Sequence, residues 1–107
     1  MEVTLKLSFV NVLSTNEIKP GQMKGVEAGN KKILVVNLIG KFYAIGDVCM
    51  HSGCSLSEGT LVGENVECPC HGSTYDVKTG NVIEGPATKP EPTFDVKTEG
   101  NRVFIKV

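Results

Sequence analysis

Apolar residues recur at every second position over the first nine. Val3, Leu5, Leu7 and Phe9 alternate with Glu2, Thr4, Lys6 and Ser8. That period turns one face of an extended chain toward a core and predicts a half-buried strand. Residues 32–38 and 41–45 are rich in β-branched and aromatic side chains and meet at Ile39-Gly40, which predicts a hairpin. The longest apolar run, 33–36, is strand-sized. Further turn signals fall at Gly63-Glu64-Asn65, at 78–81 and at Glu99-Gly100-Asn101, the last joining a strand over 93–97 to one over 102–106. Between 14 and 29, Pro20, Gly21, Gly25 and Gly29 break any period. An irregular connection is expected there, with one short helical turn near Asn16. No stretch carries the period of a long amphipathic helix.

These patterns predict an all-β domain of short antiparallel strands. At 107 residues the chain is expected to be a single domain, 1–107. Strands from its two ends should pair to form a base, with an insertion between 46 and about 90. Ahead of the closing hairpin Gly85-Pro86-Ala87 and Pro90-Glu91-Pro92 make a stiff, donor-poor segment that needs no ladder of hydrogen bonds.

Charge narrows the partners. The net charge is −1, with acidic and basic residues intermixed. No basic block favours nucleic acid, and no acidic tail favours a charged partner. The N-terminus is charged from Glu2 and lacks a long apolar run, so neither a secretion signal nor a membrane span is expected. A cytoplasmic protein, monomeric, is the expectation. Glu58, Glu84 and Glu91 lie near the insertion's loops and read as solvated positions.

The chemistry is concentrated. All four cysteines and both histidines of the chain fall in Cys49-Met50-His51-Ser52-Gly53-Cys54 and Cys68-Pro69-Cys70-His71-Gly72-Ser73. Soft and borderline ligands gathered in two short loops point to a metal site. A tetrahedral zinc site is one reading, although its usual spacing pairs Cys with Cys and His with His. Two structural disulfides are another, which leaves the histidines unexplained. A Cys–His nucleophile is a third, without an oxyanion site or an orienting acid. In the fourth, each loop supplies one thiolate and one imidazole, enough to complete two tetrahedral irons that share two sulfides.

The last reading coincides with a family resemblance. Cys49-x-His51 and Cys68-x-x-His71 match the C-x-H…C-x-x-H signature of the Rieske [2Fe–2S] proteins, and the likeness extends from residues 32–35 through Phe42-Tyr43-Ala44-Ile45 to Thr79-Gly80 and the last hairpin. The resemblance implies the Rieske (ISP) fold, an antiparallel β-sandwich base with an inserted cluster-binding subdomain of two loops. It implies one [2Fe–2S] cluster, with Cys49 and Cys68 on the inner iron and His51 and His71 on the outer, more exposed one. Two ferric ions, two sulfides and two thiolates sum to zero with neutral imidazoles, so an electron is accepted more readily than with four thiolates.

The second pair of cysteines carries the resemblance further. Cys54 and Cys70 occupy the positions that form an inter-loop disulfide in the high-potential members, and oxygenase-system ferredoxins lack them. Ser73 and Tyr75 match the hydroxyls that donate to cluster sulfurs and raise the potential. Gly53, Gly72 and Pro86 complete the tuning set, Pro86 in the segment resembling the family's proline loop. Ser52 stands where quinol-oxidising members carry leucine, which argues against quinol oxidation. The chain looks more like a free-standing, disulfide-containing ferredoxin, similar to the sulredoxin kind. The implied function is one-electron transfer rather than catalysis, to a reductase or oxidase docking at the histidine-exposed edge. The alternative is the ferredoxin component of a multicomponent ring-hydroxylating oxygenase.

Overall fold

The computed structural model describes residues 9–49, 53–70 and 72–106. Eleven strands account for most of them: β1 (Phe9–Ser14), β2 (Gln22–Ala28), β3 (Lys31–Leu38), β4 (Lys41–Gly46), β5 (Thr60–Val62), β6 (Asn65–Glu67), β7 (Thr74–Asp76), β8 (Val82–Glu84), β9 (Thr93–Phe94), β10 (Val96–Glu99) and β11 (Arg102–Lys106). Two 3-10 turns, Thr15–Glu17 and Leu56–Glu58, are the helical elements among the described residues. All pairing is antiparallel, in three sheets ordered β1-β11-β10, β2-β3-β4-β9 and β5-β6-β7-β8.

The run 33–36 explains the layering. An unbroken apolar strand must be covered on both faces, and β3 is. Ile33 and Val35 join Leu13, Phe42, Ala44, Val103 and Ile105 in one core, between the first two sheets. Leu34 and Val36 join Ile45, Leu56, Val66, Tyr75 and Val77 in a second core, between the middle sheet and the β5–β8 sheet. One strand thus serves the base on one face and the metal-loop side on the other. Truncating Leu34, with no exposed surface, to alanine would cost about 2–5 kcal/mol.

The β3–β4 hairpin forms where the pattern places it. Leu38 pairs with Lys41 across Ile39-Gly40, whose φ values of 51° and 86° mark a two-residue turn with both centres left-handed. The terminal strands β1 and β11 pair, as the base requires. The turn near Asn16 is the first 3-10 turn, with Ser14 N–H donating to Glu17 Oε2 at 2.9 Å.

Four expectations are corrected. The connection 14–29 is half strand: β2 runs from Gln22 to Ala28 and pairs along its whole length with β3. The strand over 93–97 is two strands in different sheets, β9 on β4 and β10 on β11, exchanged at Asp95, whose carbonyl accepts from Lys106 N–H. Most of the opening alternation, residues 1–8, lies outside the described residues. Within β1 it is Leu13 that points inward, while Phe9 is exposed with its ring 4.7 Å from Lys97 Nζ. Glu91 is buried rather than solvated, because Gly46 leaves its carboxylate room and its N–H donates to Gly80 O.

Candidate metal centre

The two cysteine loops are folded alike. In the first, Cys49 N–H donates to Cys54 O at 2.8 Å and Gly53 N–H returns to Cys49 O at 2.8 Å. In the second, Cys68 N–H donates to Ser73 O at 2.7 Å and Gly72 N–H to Cys68 O at 3.2 Å. Each loop is closed at its base by an antiparallel pair, Val48 with Ser55 and Glu67 with Thr74. The glycines hold the return bend at φ 81° and 77°, a left-handed conformation in which a Cβ would be strained. Cys-x-x-x-Gly therefore makes the same knuckle twice.

In each knuckle the first residue is a buried cysteine. Cys49 and Cys68 are each 2% exposed and sit in the second core with Leu34, Leu56 and Val66. The other two cysteines form the Cys54–Cys70 disulfide, which joins the end of one loop to the middle of the other with Cα atoms 6.4 Å apart. Cys54 is half-buried and Cys70 exposed, so the bond lies outward of the buried sulfurs. His51 and His71, with Met50 and Ser52, lie outside the described residues. Among the described residues there is no cluster of three or more His, Cys, Asp or Glu side chains.

Two buried hydroxyls flank the knuckles. Tyr75 has no exposed surface, and its hydroxyl is 3.5 Å from Cys49 Sγ. Once Cys49 is a thiolate, only the phenol has a proton to give, so the tyrosine donates to sulfur. Ser73 is also fully buried, and its Oγ accepts from Ala87 N–H at 3.1 Å. Pro86 is exposed at the crest of the segment that makes this contact. The proline segment thus supplies a hydrogen bond outside any sheet ladder.

The arrangement fits a thiolate-held iron–sulfur centre. Two buried cysteines stand at equivalent places in facing knuckles, the remaining pair is consumed in a disulfide, and a buried phenol is aimed at sulfur. Asp47 was not anticipated. It is 5% exposed, and its carboxylate accepts from Ser57 N–H and Ser57 Oγ at the foot of the first loop. No motif marks it, since an Asp two residues before a cysteine has no signature.

Similarity to known proteins agrees with this geometry. A Rieske [2Fe-2S] domain is matched over residues 8–98. The ferredoxin component of biphenyl 2,3-dioxygenase from Rhodococcus jostii (strain RHA1) is 38% identical over 99 residues, 92% of each chain. That of the naphthalene 1,2-dioxygenase system from Pseudomonas aeruginosa is 34% identical over 97 residues, 91% of this chain and 93% of the other. Among solved structures, the ferredoxin of carbazole 1,9a-dioxygenase from Nocardioides aromaticivorans IC177 superposes with a TM-score of 0.89 at 28% identity, covering 92% of this chain and 97% of the other. A chain in a complex of oxygenase and ferredoxin from a carbazole 1,9a-dioxygenase gives 0.87 at 34% identity, with 92% of each chain covered. No helix among the described residues is long and apolar enough to cross a membrane. The chain belongs to the Rieske [2Fe–2S] family and is a ferredoxin-type electron carrier that holds one Rieske cluster.

Proposed function

We propose that Cys49, His51, Cys68 and His71 hold the cluster, within a single domain, 1–107, whose cluster-binding part spans about 46–90. The cluster, when bound, takes up and returns one electron. The observation that carries the assignment is the doubled knuckle, with a buried cysteine opening each copy. Cys49 and Cys68 anchor the centre in the apolar second core. There, low dielectric strengthens each hydrogen bond to sulfur. Tyr75 and Ser73 supply those bonds, and the Cys54–Cys70 bond ties the loops so that their spacing changes little between redox states. Gly53 and Gly72 shape the knuckles, and Pro86 tops the segment that covers Ser73.

Partners are redox proteins, a reductase on one side and an oxidase or oxygenase on the other, that meet the chain at the edge formed by His51 and His71. The exposed described residues at the loop tips, Gly53, Pro69, Cys70 and Pro86, carry no charge. The carrier acts in the cytoplasm as a monomer.

A second reading has its own support. Relatives 38% and 34% identical are ferredoxin components of dioxygenase systems. On that reading this chain delivers electrons to such an oxygenase. The two readings differ in potential, because the disulfide and the two hydroxyls belong to the high-potential pattern. Two irons and two labile sulfides per chain, with the low-average-g resonance of a reduced Rieske centre, are expected. A midpoint potential in the upper half of the Rieske range of about −150 to +300 mV supports the high-potential carrier, and one near the bottom supports the oxygenase component. Stoichiometric zinc without bleachable colour would overturn both.

A further inference from the structure

The proline segment packs against Ser73 at the end of the second loop. Strand β8 pairs with β7 as far as Glu84 opposite Thr74, so the next residue, Gly85, comes to lie against the preceding one, Ser73. The approach is backbone on backbone. A Cβ on Gly85 would stand 2.6 Å from Ser73 Cα and 3.2 Å from both Ser73 N and Gly72 O, at a φ of 106°. No flexible side chain is present there to give way. Two residues on, Ala87 N–H donates to Ser73 Oγ at 3.1 Å, and both residues are buried.

A serine hydroxyl rotates freely about its Cβ–Oγ bond, and its one proton follows. An amide donating to the oxygen occupies one lone pair and confines the proton to the remaining directions. The bond does not consume that proton, which is left to donate. A donor held in orientation beforehand needs no reorganisation when charge develops on its acceptor.

We infer that Gly85 and the Ala87 amide are positioning groups that aim the Ser73 hydroxyl at the cluster, so the potential is set partly from the proline segment. This rests on the tuning role proposed above for Ser73. Gly85 acts by allowing the close approach, and Ala87 by supplying the N–H. Neither touches the cluster in this account; both work through Ser73.

The test is a double-mutant cycle read by the midpoint potential of the cluster-loaded protein. Ala87→Pro removes the N–H, and Gly85→Ala pushes the segment away. Each should lower the potential by part of the drop seen in Ser73→Ala, and neither should lower it further in the Ser73→Ala background. Equal shifts in both backgrounds, or none where Ser73→Ala alone lowers the potential, would overturn the inference. An unchanged potential in Ser73→Ala would instead remove the tuning role of Ser73, and the inference with it. If neither segment variant takes up a cluster, amide hydrogen exchange decides. The Ala87 amide should be protected in the unaltered protein and exposed in Ser73→Ala; exchange at the unprotected rate in the unaltered protein overturns the inference.

Discussion

The carboxylate of Asp47 grips Ser57 at two points, with Oδ1 accepting from the backbone N–H at 2.6 Å and Oδ2 from the hydroxyl at 2.8 Å. The second cysteine loop has a hairpin beneath it, since β6 and β7 pair over three positions. The first has the single bridge Val48–Ser55. Asp47 makes up the difference: its side chain holds Ser57, its carbonyl accepts from Leu56 N–H, and its own N–H donates to Lys32 O. The foot of the first loop is thereby pinned to β3 on one side and to the Leu56–Glu58 turn on the other.

Asp47→Ala should therefore be costly. It leaves a part-buried N–H without its acceptor and removes two bonds to an ionised group, a loss of about 2–4 kcal/mol. Asp47→Asn keeps one acceptor oxygen and should cost less. Denaturant melts of the cluster-loaded variants measure both. A loss below about 0.5 kcal/mol for the alanine variant would show that the loop foot is held by its backbone bonds alone.

The same pair explains why β2 was not legible. Gln22, Lys24, Gly25 and Glu27 dilute Met23 and Val26, and a glycine inside a weak pattern reads as a loop. Gly25 is there for a distant reason, since a Cβ would stand 2.7 Å from Asp47 Oδ2 and 2.8 Å from Ser57 Oγ. Gly29-Asn30, both with positive φ between paired Ala28 and Lys31, is a hairpin signal that could have found the strand. Residues 93–97 misled for another reason: a strand that leaves one sheet for the next at Asp95 keeps its alternation. The burial of Glu91 has no local cause either. In contrast, the β3–β4 hairpin and the two cysteine loops were readable because turn chemistry and ligand chemistry are local.

Ile39 is the misfit in that hairpin. It is 94% exposed at a φ of 51°, so it carries the cost of a β-branched residue in the left-handed region and gains nothing from burial. The conformation costs about 1–2 kcal/mol for an ordinary residue, and asparagine tolerates it. Ile39→Asn should raise stability by about 1 kcal/mol without altering the visible spectrum of the cluster. A destabilised variant would mean that the exposed isoleucine has a partner that the isolated chain does not show.

Tyr75→Phe should preserve the fold and lower the midpoint potential. The ring stays buried in the second core, and only the donor 3.5 Å from Cys49 Sγ is lost. Sulfur carries more negative charge after reduction, so the bond stabilises the reduced state more than the oxidised one. If the difference is about 1 kcal/mol, the drop is about 40 mV, at about 59 mV per tenfold change for one electron. Voltammetry of the two proteins at one pH measures it. An unchanged potential would place the tuning elsewhere.

The four cysteines should separate into two classes on substitution. Cys54→Ser or Cys70→Ser opens a bridge of sequence separation 16. On the chain-entropy account that removes about 3 kcal/mol of stability. The knuckle bonds within each loop are backbone bonds and survive the change, as do both buried thiols. A cluster should still assemble, with a lower melting temperature and a lower potential, because the loops are then tied only through their own strands. Cys49→Ser or Cys68→Ser removes instead a buried sulfur that opens a knuckle, and should lose the cluster or badly disrupt it while leaving the disulfide in place. Iron and labile-sulfide content, set beside thiol counts in the unfolded protein, distinguishes the classes. Full iron in Cys49→Ser together with none in Cys54→Ser would reverse the roles of ligand and bridge.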